Sequence, residues 1–137
     1  MGNNTELRII QLPKIIDERG NLSFLQEVNQ IPFEIMRTHW IYDVPGGEIR
    51  GGHSYISNQE FIVALSGSFD VIVKTAYEEQ IFSLNRSYYG LFVPAGLWRH
   101  MENFSTNSVA LVVSSAEYDE NDYIRDFDQY KTILKND

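Results

Sequence analysis

Short apolar segments alternate with turn residues along most of the chain, at a spacing of roughly 8–12 residues. Gly67, in the stretch ALSGSFDV, marks the turn of one hairpin, and Pro94 and Gly96 mark another turn. This pattern is typical of an all-β sandwich or barrel. The predicted strands cover residues 7–12, 21–27, 34–42, 60–66, 68–74, 79–84, 89–93, 98–104 and 109–115.

The tail of the chain has a different periodicity. From Asp119 onward, apolar side chains recur at positions 123, 124, 127, 130, 133 and 134, which is helical spacing. Acidic residues precede this stretch and lysines lie near its end, as the helix dipole favours. The sequence therefore predicts a single domain over residues 1–137, made of a β-barrel and one short C-terminal helix.

Composition and charge exclude several function classes. The chain has 137 residues, a hydrophobic fraction of 43% and no cysteine, so disulfides, thiolate metal sites and cysteine nucleophiles are excluded. The net charge is −8 without a basic cluster, which argues against nucleic-acid binding. No apolar run approaches the roughly 18 residues of a membrane span, and the opening residues do not resemble a signal peptide. We expect a cytoplasmic protein without a membrane partner.

Residues 47–67 resemble the first motif of the cupins. The matching residues are Gly47, His53, Tyr55, Glu60 and Gly67, with Tyr55 in place of the motif's second histidine. The resemblance implies the cupin fold, a double-stranded β-helix or jelly-roll barrel.

Residues 94–103 resemble the second cupin motif, through Pro94, Gly96, Arg99 and Asn103, with Arg99 in place of its histidine. Of the four metal-ligand positions of a cupin, only His53 and Glu60 are then retained. Tyr55 is a poor ligand for most divalent ions, and a guanidinium cannot lose its proton and repels a cation. We predict that the protein uses no metal and no other cofactor, and that Arg99 faces an anion such as an enediolate oxygen or a phosphate.

A closer resemblance covers nearly the whole chain. The chain is similar to the metal-free cupins that act as dTDP-sugar 3,4-ketoisomerases on dTDP-4-keto-6-deoxyglucose. The stretches that carry it are DERGNL, IPFEIMRTHWIYDV, RGGHSY, ALSGSFDV, YGLFVPAGLWR, ENFS and AEYDENDYIRDFDQY. It implies a dTDP-linked sugar as substrate and a homodimer that exchanges N-terminal strands, here residues 7–12. The family pattern has a second histidine where this chain has Tyr55.

Moving a carbonyl from C4 to C3 of a hexose needs a base near neutral pH, a second proton carrier and a positive group for the enediolate. His53 suits the base, because imidazole titrates near pH ~6.5. Tyr55 suits a proton donor, since a phenol has a reference pKa of about 10. Arg50 or Arg99 suits the enediolate.

The substrate's other groups need partners as well. Arg19 and Arg37 are candidates for the diphosphate, because guanidinium groups bind it bidentately. His39 is a second possible proton carrier if its strand faces the barrel interior. An aromatic side chain is expected to stack on the base, and Trp40, which shares the opposite face of that strand with Tyr42, is one candidate. Glu60 is the last candidate in the substrate site.

Simpler interpretations and two other functions stay open. His53 could be a hydrogen-bonded histidine of the barrel, and Tyr55 could fill space. The same scaffold could carry a sugar-nucleotide epimerase that uses a histidine base and a tyrosine acid. It could also carry a non-catalytic sugar-nucleotide-binding protein that lost activity with its second histidine.

Overall fold

The computed structural model of the chain describes residues 6–26 and 30–135. It contains short β-strands, one 3-10 turn at Glu120–Asp122 and one α-helix, α1, at Phe127–Lys135. The strands are β1 (Arg8–Gln11), β2 (Lys14–Ile15), β3 (Leu22–Ser23), β4 (Arg37–Tyr42), β5 (Arg50–Tyr55), β6 (Glu60–Ser66), β7 (Phe69–Lys74), β8 (Glu79–Leu84), β9 (Tyr89–Val93), β10 (Trp98–Glu102), β11 (Val109–Ser114) and β12 (Tyr123–Ile124).

Two antiparallel sheets of five strands form the body of the molecule. Their strand orders are β1-β9-β6-β11-β4 and β12-β5-β10-β7-β8, while β2 and β3 form a separate hairpin. Alternate residues of a strand point to the same face, so Phe69, Val71 and Val73 of β7 enter the core together. There they meet Ile62 of β6 and Val112 of β11 from the other sheet. The all-β prediction is confirmed, and the strand pairing forms two facing sheets, not one closed cylinder.

The predicted strands 60–66, 79–84 and 89–93 coincide with β6, β8 and β9. The predicted strand 21–27 was too long, because only Leu22 and Ser23 pair with β2. Residue 27 lies outside the described residues. The glycine-rich stretch before His53 lies outside the predicted strands, but the structure forms strand β5 there from Arg50 onward. The strand accommodates Gly51 because its pairing with β10 shifts register there, as at a β-bulge, with Gly51 at a φ of +72°.

The C-terminal prediction needs a correction. The helix begins at Phe127, not near Asp119. Before it, the Asp119 side chain caps the 3-10 turn by accepting from the amide of Asn121, and the Asp122 carboxylate accepts from the amides of Ser57 and Asn58. These bonds hold the segment in extended form, so that β12 adds to the edge of β5.

Helix α1 covers the outer face of the second sheet. Tyr130 is 2% exposed and packs with Trp98 and Ile124. Its hydroxyl donates to the carbonyls of Lys74 and Gly96. The helix and β12 thus fix the wall that closes one side of the site described next. No helix among residues 6–26 and 30–135 is long and apolar enough to cross a membrane.

Candidate active site

A cavity of about 320 Å³ lies between β4, β5, β10 and the segment that leads to the C-terminal helix. Alternation along β4 turns one face of the strand toward the cavity and leaves Trp40 and Tyr42 on the other. The wall combines cationic, imidazole and phenol groups. The lining residues are Arg37, His39, Ile41, Arg50, Gly51, His53, Tyr55, Arg99, Tyr118, Tyr123 and Arg125.

His53 is the best-placed base in this cavity. The residue is 7% exposed, and its ring meets the rings of Tyr55 and Tyr123 edge-on, at centroid distances of 4.7 and 5.0 Å. Burial, followed by the nearby charge of Arg99, lowers the pKa of His53 to about 3. The imidazole is therefore neutral at pH 7. Its buried Nε2 has no hydrogen-bond partner, which leaves it available to a substrate.

Tyr55 and Tyr123 bring two phenol groups together next to His53. Their ring centroids are 4.7 Å apart and their hydroxyl oxygens 3.4 Å apart. Arg37 Nη2 donates to the Tyr123 hydroxyl at 3.4 Å. Burial, followed by the charge of Glu60, raises the pKa of Tyr55, so its phenol keeps its proton.

Tyr123 was not among the residues singled out from the sequence. The tail AEYDENDYIRDFDQY was noted for its resemblance to the ketoisomerases, but its spacing predicted a helix. A helix there gives no reason for Tyr123 to approach His53. Asp119 and Asp122 are both suited to capping and turns. Their presence was the available signal that this part of the tail is not helical.

A buried ion pair forms the floor of the cavity. Arg99 donates from Nε and Nη2 to the two carboxylate oxygens of Glu60 at 2.8 and 2.7 Å, and from Nη1 to the carbonyl of Gly51 at 3.0 Å. Their side chains are 3% and 1% exposed. Burial opposes the ionisation of both groups, but the charge of the partner outweighs this effect in each case. The pKa of Glu60 is therefore lowered by Arg99, and the pKa of Arg99 is raised by Glu60.

This pair changes the roles expected of both residues. Within the chain, the anion that Arg99 faces is the Glu60 carboxylate, and its contact with an enediolate oxygen or a phosphate stays a prediction. Glu60 does not line the cavity, because Arg99 donates to both of its oxygens, so the single-chain cavity does not bring Glu60 to its surface. Among the described residues, no group of three or more His, Cys, Asp or Glu side chains could hold a metal ion.

The remaining wall is built by the segment between β11 and α1. The Arg125 guanidinium lies 4.0 Å from the ring centroid of Tyr123, within cation–π distance. Arg125 also donates twice to the Glu120 carboxylate at 3.0 Å, and Tyr118 donates to the same carboxylate. Those two contacts lower the pKa of Glu120 to about 2. Arg125 and Tyr118 thus brace Tyr123 from outside, Tyr118 at a ring-centroid distance of 5.6 Å, and Glu120 holds both of them.

Comparisons with known proteins agree with this geometry. The family model described as "FdtA: WxcM-like, C-terminal" matches residues 5–135. The chain belongs to this family. It is 39% identical to the TDP-4-oxo-6-deoxy-α-D-glucose-3,4-oxoisomerase of Aneurinibacillus thermoaerophilus over 94% of this chain and 93% of the relative.

Solved structures of similar proteins give the same result. A 3,4-ketoisomerase from Helicobacter canadensis superimposes with a TM-score of 0.93 at 34% identity, over 97% of this chain and 99% of the other. QdtA, a sugar 3,4-ketoisomerase from Thermoanaerobacterium thermosaccharolyticum solved in complex with TDP, gives 0.92 at 34% identity, over 99% and 98%. The resemblance to the 3,4-ketoisomerases drawn from the sequence is confirmed.

Two predicted residues of this FdtA-family chain lie outside its cavity. Arg19 is in the β2–β3 hairpin, where it forms an ion pair with Asp17 at 2.7 Å and leaves 89% of its side chain exposed. Trp40 is 58% exposed on the outer face of β4, next to Tyr42. The cavity of the single chain therefore does not include either, and any role in binding would require contact from outside this cavity.

Proposed function

We propose that the protein is a 3,4-ketoisomerase that moves the carbonyl of a dTDP-linked 4-keto-6-deoxyhexose from C4 to C3 in deoxysugar biosynthesis. One observation carries the proposal beyond family membership. His53 is held neutral, with a free Nε2, in a cavity that also offers cationic and phenol groups. This combination supplies the proton donors and the anion-stabilising groups that the reaction needs, and it supplies the base once the negative charges of the bound substrate raise the pKa of His53 toward neutrality.

The first step is removal of the C3 proton, which the adjacent C4 ketone acidifies. His53 takes this proton on its free imidazole nitrogen, and the electron pair of the C–H bond becomes the C3–C4 double bond. Negative charge then develops on O4 and is stabilised by positive groups and hydrogen-bond donors. Return of a proton to C4, with transfer of the hydroxyl proton from O3 to O4, completes the isomerisation.

Arg37 and Arg50 suit the negative charges of the substrate. Both line the cavity, and neither has a carboxylate partner within 4.0 Å among the residues described here, unlike Arg99 and Arg125. Two uncompensated guanidinium groups match the two negative charges of a sugar nucleotide's diphosphate. We assign Arg37 and Arg50 to the diphosphate or the enediolate, and His39, with a buried Nδ1 that lacks a partner, to the sugar hydroxyls.

We propose that this chemistry uses acid and base groups without a metal. Of the residues at the cupin ligand positions, Glu60 is fully engaged by Arg99, and the guanidinium itself lies against β5, which also carries His53. A divalent ion at this place would meet a fixed positive charge. Metal analysis of the active protein tests this, and one tightly bound iron, zinc or manganese ion per chain would contradict it.

The two alternative functions give different results with the same substrate. An epimerase of the histidine–tyrosine type places base and acid on opposite faces of the sugar, whereas the rings of His53 and Tyr55 lie 4.7 Å apart, next to each other. The protein is incubated with dTDP-4-keto-6-deoxyglucose, and the products are identified by NMR. A 3-keto product supports the proposal, a 4-keto epimer supports the epimerase, and binding of TDP without turnover supports the binding protein.

We further propose a homodimer in which N-terminal strands are exchanged. Strand β1 lies at the edge of its sheet and pairs with β9, so the equivalent strand of a second copy could replace it. The outer face of the same sheet exposes Trp40, Tyr42 and Leu65 by 58%, 60% and 48%, and exposed apolar patches of this kind often mark interfaces. Sedimentation equilibrium tests the dimer, with Trp40→Glu expected to shift the equilibrium toward monomer.

A further inference from the structure

The hydrogen bonds around Tyr123 leave its own proton available. Arg37 can only donate, so the Tyr123 oxygen is the acceptor of that bond. The Tyr55 hydroxyl also donates to the Tyr123 oxygen. No hydrogen bond among the described residues uses the proton of Tyr123, and its side chain lines the cavity. A substrate oxygen in the cavity is therefore a suitable acceptor.

We propose that Tyr55 and Tyr123 form a two-phenol relay that carries the hydroxyl proton from O3 to O4 of the sugar during isomerisation. This inference rests on the proposed ketoisomerase function and deepens it. The relay explains why a tyrosine stands at position 55, because an imidazole there would not give the same phenol pair. It also gives Tyr123 a role that its motif position alone does not suggest.

The relay leaves both phenols unchanged at the end of a turnover. After His53 removes the C3 proton, the charge rests on O4. Tyr123 gives its proton to O4, Tyr55 gives its proton to the Tyr123 oxygen, and the O3 hydroxyl gives its proton to the Tyr55 oxygen. The negative charge has then moved from O4 to O3. As the C3 carbonyl forms, the electron pair of the double bond takes the proton from His53 at C4.

The surroundings of the two phenols favour a proton relay over the formation of separate phenolate anions. Two hydroxyl oxygens 3.4 Å apart can serve neighbouring oxygens of one sugar. Burial raises the pKa of Tyr55, so a separate phenolate there is unfavourable and a proton that leaves must be replaced at once. Arg37 and Arg125 hold Tyr123 from two sides, by a hydrogen bond and by stacking. These contacts fix the phenol without using its proton.

The test separates proton removal at C3 from product formation. Tyr123→Phe, Tyr55→Phe and the double variant are incubated with dTDP-4-keto-6-deoxyglucose in deuterated water. NMR measures deuterium at C3 of recovered substrate and the amount of 3-keto product. Because His53 is intact, we expect C3 exchange to continue while product formation falls at least about 10²-fold, a normal loss for a proton-transfer group. The exchange-to-product ratio should rise at least about 10-fold in each single variant.

The double variant gives the sharper result. The effects of substituting two residues that act as one unit are not additive. The double variant Tyr55→Phe/Tyr123→Phe should therefore form product about as slowly as either single variant. Tyr77→Phe removes the same oxygen from a side chain that is 85% exposed and should change nothing.

Several outcomes would overturn the relay. Tyr123→Phe could form product at the wild-type rate, or it could lose exchange and product in equal proportion, as a purely structural residue would. Independent losses that multiply in the double variant would likewise contradict a single relay. If the wild-type protein shows neither exchange nor product, the proposed function itself fails, and the relay fails with it. Retained TDP binding by calorimetry shows that each variant is folded.

Discussion

The ion pair beneath the cavity predicts a large loss of stability when its carboxylate is removed. In Glu60→Ala, the Arg99 guanidinium keeps its charge but loses two hydrogen bonds of 2.8 and 2.7 Å in a site where it is 3% exposed. Leaving one buried charge without its partner costs about 3–5 kcal/mol. That is a large part of the total of about 5–15 kcal/mol typical of a domain. The melting temperature should fall by about 10–15 °C.

Urea unfolding at pH 7, followed by circular dichroism, measures this loss as a change in midpoint at constant slope. The matched control is Glu79→Ala, which breaks the partly exposed pair with Lys74 at 3.8 Å and should cost less than about 1 kcal/mol. Replacing both buried partners by apolar residues, as in Glu60→Leu/Arg99→Met, should recover most of the loss, because no unpaired charge remains. A loss below about 1 kcal/mol for Glu60→Ala, or a double variant as unstable as the single one, would refute the reasoning.

Two further predictions concern His53 and Gly51. Because the pKa of His53 is lowered to about 3 in the folded protein and is 6.5 in the unfolded chain, the unfolded state binds more protons between these values, and stability falls as pH decreases through this window. Between pH 8 and pH 5, the free energy of unfolding measured by urea titration should fall by about 2 kcal/mol more in the wild type than in His53→Asn. The value of kcat/KM should show no fall near pH 6.5. Equal losses of stability, or a decrease of kcat/KM below pH 6.5, would contradict a neutral buried base. Gly51→Ala should destabilise the protein by more than about 2 kcal/mol and lower turnover. The added Cβ would overlap Arg99 Nη1, and the backbone φ of +72° is strained for alanine. A stable and active variant in the same assays would show that Arg99 need not lie there.

Much of the fold follows from local sequence signals. The strands β6, β8 and β9 have clear apolar runs bounded by turn residues, and these were predicted end to end. Strand β5 was missed because its first half, Arg50 to Gly52, has the composition of a loop. Its extended form depends on pairing with β10 and on the contact between Gly51 and Arg99, which only the folded chain provides.

The candidate site was predicted in part for the same reason. His53 and Tyr55 lie two positions apart on one strand, so their shared direction follows from strand geometry. Tyr123 reaches them from a distant part of the chain, through the pairing of β12 with β5. The pairing of Arg99 with Glu60 also joins two separate strands, and no local pattern distinguishes it from a contact between Arg99 and a substrate anion.

The measurement that tests the central claim most directly is C3 proton exchange in His53→Asn. Wild-type protein and variant are incubated with dTDP-4-keto-6-deoxyglucose in deuterated water, and NMR follows both the loss of the C3 proton signal and the appearance of a 3-keto sugar. The wild type should show both events. His53→Asn, folded and still able to bind TDP, should show each at least about 10²-fold more slowly, as expected for loss of a general base. Exchange and turnover at near wild-type rates in the variant would show that another group removes the proton, and would contradict the account.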